Sequence, residues 1–238
     1  MAVEKGDFIK INYTGRFEDG GVFDTTDEQL AKDEGVFAEN GLYGGDIIIV
    51  GAGHTIPGLD EDFVGKDVGK EIEITLDESK AFGPIDPRLV SGVSVSKFKD
   101  GRAEPGMVIE QDGRRGVVTR VIGRRATIDF NNPLAGKTVV YNYTIDEVLS
   151  DDVDKVKGLY SFYTGIIDSD VTVEDGIAKI VIPLGLTFNQ RWLLSKGKMA
   201  NDILENTDIK EVLFIEKYDK KINTEENNEE KDIEEDEN

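Results

Sequence analysis

Cysteine is absent from this 238-residue chain, and histidine occurs once. Disulfide scaffolds, zinc–thiolate sites, iron–sulfur clusters and cysteine nucleophiles are thereby excluded, as is any mechanism that needs two histidines. Basic residues are scarce beside acidic ones: 28 Lys and Arg stand against 49 Asp and Glu, a net charge of −21. A field of that sign opposes nonspecific binding to nucleic acid or to an anionic membrane, because phosphate contacts need clustered Lys and Arg. No apolar run approaches the ~18 residues of a membrane span. The opening MAVEKGDF does not read as a signal peptide, and zero cysteine fits a reducing compartment, so a cytoplasmic protein is expected. What is present is 38% hydrophobic residues, enough for a core spread over one or two domains.

The charge is unevenly distributed. Residues 1–83 carry a net −12, residues 84–131 a net +3, residues 132–149 −1, residues 150–218 −4 and residues 219–238 −7. A mildly basic segment between acidic ones is what a module inserted into a domain would look like. The segment from Asp219 (DKKINTEENNEEKDIEEDEN) has almost nothing to bury and is expected to be a disordered acidic tail.

Strand patterns dominate the first 149 residues. DFIKINYTGRF at 7–17 alternates with Ile9, Ile11 and Tyr13 on one face, and EIEITL at 71–76 with Ile72, Ile74 and Leu76. DIIIV at 46–50 is a β-branched run, and VVYNYTI at 139–145 aligns Val139, Tyr141, Tyr143 and Ile145. Thr25-x-x-Glu28 reads as a capping box opening a helix over DEQLAKDE. A second short helix is expected over Ile56–Val64, with Pro57 early in it. In the basic segment VSVSKF, MVIEQ, GVVTRVIG and RRATIDF read as strands separated by turns. Beyond it, VDKVKGLYSFY and Phe188–Leu204 look helical, while GIAKIVIPL and IKEVLFIEKY look like strands, which makes a C-terminal α+β module.

Some motifs tempt and fail. VGAGHTIPG at 50–58 has the spacing G-x-G-x4-G and a proline where a dinucleotide-binding helix would continue, so a turn is preferred. Asp60, Asp62, Gly65 and Glu71 mimic a calcium loop, but Val64 occupies a ligand position. His54 has no partner histidine and reads as a polar loop residue. The sequons at Asn12 and Asn142 fall inside strands. What remains is a spaced set of rings and aliphatics with one carboxylate: Tyr13, Phe23, Asp24, Ile56, Leu59, Phe82, Leu134 and Tyr141. On composition alone these are core.

Four blocks change that reading. YTG at 13–15, VFDTT at 22–26, the stretch VGAGHTIPGLDEDFVGKDVGKEIEITLDESKAFG at 50–83, and DFNNPLAGKTV at 129–139 together resemble an FKBP-type peptidyl-prolyl isomerase, in the family's order. The break between AFG and NNPLAG resembles the SlyD-type arrangement, in which an insert-in-flap chaperone domain interrupts the isomerase domain. The longer stretch from Asp27 to Gly45 resembles archaeal members of the long type. The implied fold is α+β: an FKBP-like twisted antiparallel sheet wrapping a short helix, with an inserted all-β domain and the C-terminal α+β module. The implied division is 1–83 plus 132–149 for the isomerase domain, 84–131 for the insert, 150–218 for the C-terminal module and 219–238 for the tail.

Carried over position by position, the eight residues above would line the prolyl pocket, with Ile48 and Val50 forming its floor. Val93, Val95, Phe98, Met107 and Ile109 would bind unfolded chains in the insert, or would instead form that module's own core. Arg114, Arg115, Arg124 and Arg125 would favour acidic segments. The chain departs from the family at AFG for AYG, at NNPLAG for NHPLAG, and in lacking a His-rich metal-binding tail. The implied activity is X-Pro isomerisation with no cofactor and no metal, on unfolded or partly folded polypeptides. A homodimer through 150–218 is the partner expectation. A non-catalytic holdase, or a dimeric assembly factor with a vestigial pocket, stays open beside it.

Overall fold

A computed structural model describes residues 2–39, 41–98, 101–111 and 113–218. The expected tail at 219–238 lies outside the described residues. Strand β1 (Phe8–Phe17) is the spine of a five-stranded antiparallel sheet. It pairs along its length with β9 (Val139–Val148), which pairs in turn with β4 (Glu71–Leu76). On its other side β1 meets β3 (Asp46–Ile49) at one end and β2 (Val22–Thr25) at the other. Helix α1 (Glu28–Asp33) follows β2, and α2 (Pro57–Asp62) packs under the sheet with Pro57 at its first turn, where a missing N–H costs nothing. The capping residue is corrected by two positions: the Asp27 carboxylate, not Thr25, accepts from Leu30 N–H at 2.9 Å. Thr25 instead bonds Thr14 across the β1–β2 pair at 2.9 Å.

The run at 46–50 has no polar alternation because both faces of β3 are buried. Ile48 and Val50 enter a core with Ile9, Ile11, Leu59, Phe63, Tyr141 and Tyr143. Ile47 and Ile49 face the other way, into a second core that Phe8 shares with the C-terminal segment. Burial on two faces is the usual origin of an unbroken β-branched strand.

Residues 90–129 form a separate four-stranded antiparallel sheet in the order β5 (Val90–Ser94), β8 (Arg125–Asp129), β7 (Arg114–Ile122), β6 (Val108–Gln111). The strand expected over VSVSKF stops early, because residues 95–97 turn into a short 3-10 helix capped by Ser94. At the neck, the Asn131 side chain accepts from Asp86 N–H at 2.8 Å and donates to the Asp86 carbonyl at 3.1 Å. The entry and exit of the insert are thus tied side by side.

The last segment is mixed, as expected. Helix α3 (Asp152–Thr164) opens on Asp151, which accepts from two backbone N–H groups, and ends at Gly165 with φ +76°. Three strands follow, β10 (Asp170–Glu174), β11 (Ile177–Ile182) and β12 (Glu211–Glu216), with β11 and β12 parallel. The turn helix α4 (Leu184–Thr187) and the long helix α5 (Gln190–Asn206) lie between β11 and β12. Trp192, Met199, Ile203, Leu159 and Tyr160 bury against this sheet and also against Phe8 and Ile49. The C-terminal segment therefore packs on the β3 end of the first sheet, at Phe8, Ile47 and Ile49. Gly158 is where α3 touches it: a Cβ there would come within 2.4 Å of Ile47, closer than packed atoms tolerate.

Candidate functional site

The site is assembled from β1, β2, β9, α2 and the 80–83 turn. In the β1–β9 register Gly15 lies opposite Tyr141. A Cβ on Gly15 would meet the Phe23 ring at 2.6 Å and Tyr141 at 3.0 Å, so glycine is what lets two rings sit over the strand. Phe23 meets Tyr141 edge-on with centroids 5.7 Å apart, and Phe82 edge-on at 6.0 Å. Tyr13 tilts against Tyr141 at 5.9 Å. Such edge-to-face packing fixes ring positions in a cluster.

Helix α2 brings Ile56 and Leu59 to the same place. Asp60 anchors the preceding turn by accepting from Gly51 N–H at 2.8 Å and Gly53 N–H at 3.1 Å. Asp62 accepts from the Tyr143 hydroxyl at 2.7 Å and pairs with Lys66. Two carboxylates of the calcium-loop mimic thus hold the helix in position. The result is a cavity of about 450 Å³ lined by Tyr13, Asp24, Asp46, His54, Thr55, Ile56, Pro57, Leu59, Phe82, Tyr141 and Phe162. That volume suits a small cyclic side chain with its flanking backbone. A wider groove of about 610 Å³ between β3 and α3 includes Lys10, Glu147, Asp151, Asp154 and Lys157. It has no comparable cluster of rings.

Two carboxylates face the smaller cavity. Asp24 accepts from the Tyr13 hydroxyl at 3.1 Å. Burial raises the Asp24 pKa and outweighs that hydrogen bond. Burial and the neighbouring Asp24 charge push Asp46 up to about 6 from 3.8, and Asp46 Oδ1 is buried with no hydrogen-bond partner among the described residues. The Tyr13 hydroxyl is held far above its ordinary value, first by burial and then by Asp24. It stays a donor at any working pH.

A carboxyl whose pKa is higher folded than unfolded stabilises the fold fully below the unfolded value and loses that contribution as pH rises through about 6. Asp46→Asn is therefore expected to unfold later than the wild type at pH 8, by about 1–3 kcal/mol. The difference shrinks steadily toward pH 4. A gap that stays constant from pH 4.5 to 8 in urea titrations would show that Asp46 does not titrate there.

Of the eight residues expected at the pocket, Tyr13, Asp24, Ile56, Leu59, Phe82 and Tyr141 line the cavity. Phe23 stands behind them, packed on Phe82 and Tyr141. Leu134 is corrected: it is half-buried and outside the lining. Asn132 Oδ1 accepts Leu134 N–H at 2.8 Å, and Gly136 N–H donates to the Gly83 carbonyl at 2.8 Å, which ties this turn to the Phe82 loop. Ile48 and Val50 lie wholly beneath, at 0% and 1% exposure, as core and not as an open floor.

In the insert, Val93, Val95, Phe98 and Ile109 pack partly buried on a small core of Val118, Ala126 and Ile128. Val93, Phe98 and Ile109 also line a cavity of about 400 Å³ with Lys97, Glu110 and Gln111. Met107 is 42% exposed, beside Val108 at 51%. The two readings of these residues thus divide among them.

Five cavity residues were not anticipated at the pocket: Asp46, His54, Thr55, Pro57 and Phe162. Asp46 had a signal: period two along β3 puts it on the face of Ile48 and Val50. His54 lies in the loop between β3 and α2, as expected of a polar loop residue, but its side chain is 1% exposed. Its Nδ1 accepts from Ile49 N–H at 3.2 Å, which leaves Nε2–H to donate to Asp202 Oδ2 at 2.9 Å. That pattern requires a neutral ring. Burial lowers the His54 pKa accordingly, with Asp202 opposing. Phe162 comes from α3 and stacks on His54 with centroids 4.8 Å apart. Nothing local in the sequence pointed to it.

Comparison with known proteins bears on this geometry. The profile of the FKBP-type peptidyl-prolyl cis-trans isomerase family matches residues 1–131, and a profile described as FKBP26_C-terminal matches residues 152–219. A short-type peptidyl-prolyl cis-trans isomerase of Methanocaldococcus jannaschii is 33% identical over 61% of this chain and 94% of its own length. The FKBP-type 16 kDa peptidyl-prolyl cis-trans isomerase of Escherichia coli K12 is 32% identical over 50% of this chain and 85% of its own. The FKBP-type isomerase SlyD of Treponema pallidum is 28% identical over 59% and 74%.

Proposed function

We propose, for a chain that belongs to the FKBP-type peptidyl-prolyl cis-trans isomerase family, that the cavity of Tyr13, Ile56, Leu59, Phe82 and Tyr141 takes the proline of X-Pro substrates while the inserted sheet holds unfolded chain beside it. The family reaction, rotation about an X-Pro peptide bond, needs no nucleophile and no cofactor. Amide resonance opposes rotation with a barrier of ~18–20 kcal/mol, so the uncatalysed step takes tens to hundreds of seconds. At the twisted geometry the nitrogen lone pair is decoupled and charge separation falls. Apolar walls disfavour the dipolar planar amide more than the twisted one, and that difference lowers the barrier. An acceleration of about 10⁶ requires only about 8 kcal/mol. The rings also fix the proline in one orientation. In this reading Asp24, held by Tyr13, places its charge near the twisting bond, and Phe23 braces the ring cluster.

The observation that carries this reading is the convergence of rings from β1, β9 and the 80–83 turn on one cavity with the paired Tyr13 and Asp24. The division proposed is 1–83 plus 132–149 for catalysis, 84–131 for holding clients and 150–218 for the C-terminal module. Exposed Met107, Val108 and Ile122 beside basic Arg114, Arg115, Arg124 and Arg125 support client binding by the insert. A client held there meets the pocket at raised effective concentration.

A protease-free proline-peptide assay tests the isomerase; no acceleration at micromolar protein would favour a pure holdase. Because Asp86 and Asn131 already lie side by side, bridging them with a short turn in place of the insert is expected to leave peptide turnover within about twofold while catalysed refolding of a proline-limited protein falls about tenfold or more. Equal loss of both would defeat the two-module reading.

Self-association through 150–218 is the second reading. It is supported by Phe188, Leu194 and Ile167, which are 88%, 80% and 70% exposed. Light scattering that gives a monomer mass at high concentration would remove it. No helix among the described residues is long and apolar enough to cross a membrane. The cysteine-free composition supports a cytoplasmic setting.

A further inference from the structure

Ten of the eleven residues that line the 450 Å³ cavity lie in residues 1–149, and one does not. Phe162 projects from the last turn of α3 and packs half-buried against the core that holds Leu59, Tyr141 and Ile48. Its ring stacks on the His54 imidazole at 4.8 Å and 27°, and meets Tyr163 edge-on at 5.4 Å.

The supports of that ring are rigid. Gly158 seats α3 directly on Ile47 of β3, and Val156, Leu159 and Tyr160 share one core with Phe8 and Ile49. His54 is locked between the Ile49 N–H and Asp202, and Asp202 also accepts from Tyr163 at 2.5 Å and from Lys198 at 3.1 Å. A loosely docked module would not need a buried, fully bonded junction directly behind one ring. These contacts hold Phe162 at the cavity.

We propose that Phe162 is a specificity-determining residue of this isomerase: the C-terminal module supplies an aromatic wall of the substrate cavity, and that wall receives an apolar side chain flanking the substrate proline. The inference rests on the isomerase reading of the cavity. Its chemical basis is an aromatic face on the side of the cavity near His54, Thr55 and Ile56, opposite in origin to the rings of the first sheet. An alkyl or aromatic side chain entering there leaves water for a ring surface, while an alanine side chain is too short to gain from it. Discrimination between flanking residues is thus set by a segment that follows the isomerase fold in sequence.

The test uses the full-length chain and a series of short peptides X-Pro with X as Ala, Leu, Phe or Glu, in a protease-free assay. The wild type is expected to prefer Leu and Phe over Ala. Phe162→Ala is expected to lower kcat/KM about five- to tenfold for Leu and Phe and less than twofold for Ala. The loss is expected in KM, with kcat nearly constant. Phe162→Leu keeps apolar volume and is expected to recover most of the Leu-Pro rate, and it serves if the alanine variant folds poorly. Tyr163→Phe, which alters the junction without altering the wall, is expected to keep the wild-type order of preference. A loss of the same size for every X, or no change for any X, would overturn the role of Phe162 while leaving the isomerase intact. No turnover by the wild type on any peptide would instead defeat both readings, and the two failures are therefore distinguishable.

Discussion

Asp24→Ala is expected to lower kcat/KM toward X-Pro peptides about 10–100-fold, a loss of about 1.4–2.7 kcal/mol in transition-state stabilisation, while the thermal midpoint moves by no more than about 2 °C. The asymmetry follows from where the carboxylate sits. Its one side-chain partner is the Tyr13 hydroxyl at 3.1 Å, and burial raises its pKa in spite of that bond. Asp24 is also exposed on β2, so deleting it breaks one hydrogen bond and removes little packing. Tyr13 itself stays anchored by its ring contact with Tyr141. Turnover is not spared if the Asp24 charge acts on the twisting amide. Asp24→Asn separates charge from shape: it keeps an acceptor for Tyr13, and a loss as large as that of the alanine variant assigns the effect to charge. Peptide assays together with calorimetry of both variants read the outcome. A fall in stability that tracks the fall in rate would make Asp24 a structural residue.

The largest expected effect on stability lies at the other end of the chain. Asp202→Ala is expected to cost about 3–5 kcal/mol, read as a drop in the urea midpoint or a thermal midpoint lowered by about 6–15 °C. Asp202 is 8% exposed and accepts from His54, Tyr163 and Lys198. Burial disfavours its ionised form, but these hydrogen bonds outweigh burial and hold the carboxyl below its ordinary range. Removing it takes away the shared acceptor of His54 Nε2–H, the Tyr163 hydroxyl and the Lys198 ammonium at a largely buried junction. The sign with pH follows. A carboxyl whose pKa is lowered in the fold contributes stability above its unfolded pKa and loses it as pH falls through the folded value. The gap between wild type and variant is expected to be full at pH 6–8 and to narrow in acid. A gap that widens below pH 4 would contradict the ionised assignment. Because His54 also borders the cavity, a weaker KM for peptides is expected to accompany the loss.

Much of the first 149 residues was legible because the signals there are local. Period-two alternation located β1, β4 and β9, and turn and proline chemistry located α2. The order of the ring-bearing blocks pointed to six of the cavity residues. That Leu134 stands outside the cavity lining depends on a turn held by hydrogen bonds to Asn132 and Gly83, and the second of these no local pattern encodes. The insert could not be divided between core and surface in advance. Val118 and Met107 are equally apolar in sequence, and only the sheet order β5-β8-β7-β6 puts one inside and the other out.

The amino-acid order alone determined most of the strands and helices, the break in the first sheet, the exclusion of thiol and paired-histidine chemistry, and the set of rings available to a pocket, because each is a property of short stretches or of composition. Only the tertiary structure decided that the β-branched run at 46–50 is buried on both faces, that the lone histidine is the neutral hub between two cores, and that Phe162 closes the cavity. Those facts depend on how α3 packs across a strand more than 100 residues earlier. Such long-range packing is a sum of many weak contacts that leaves no signature in any single segment.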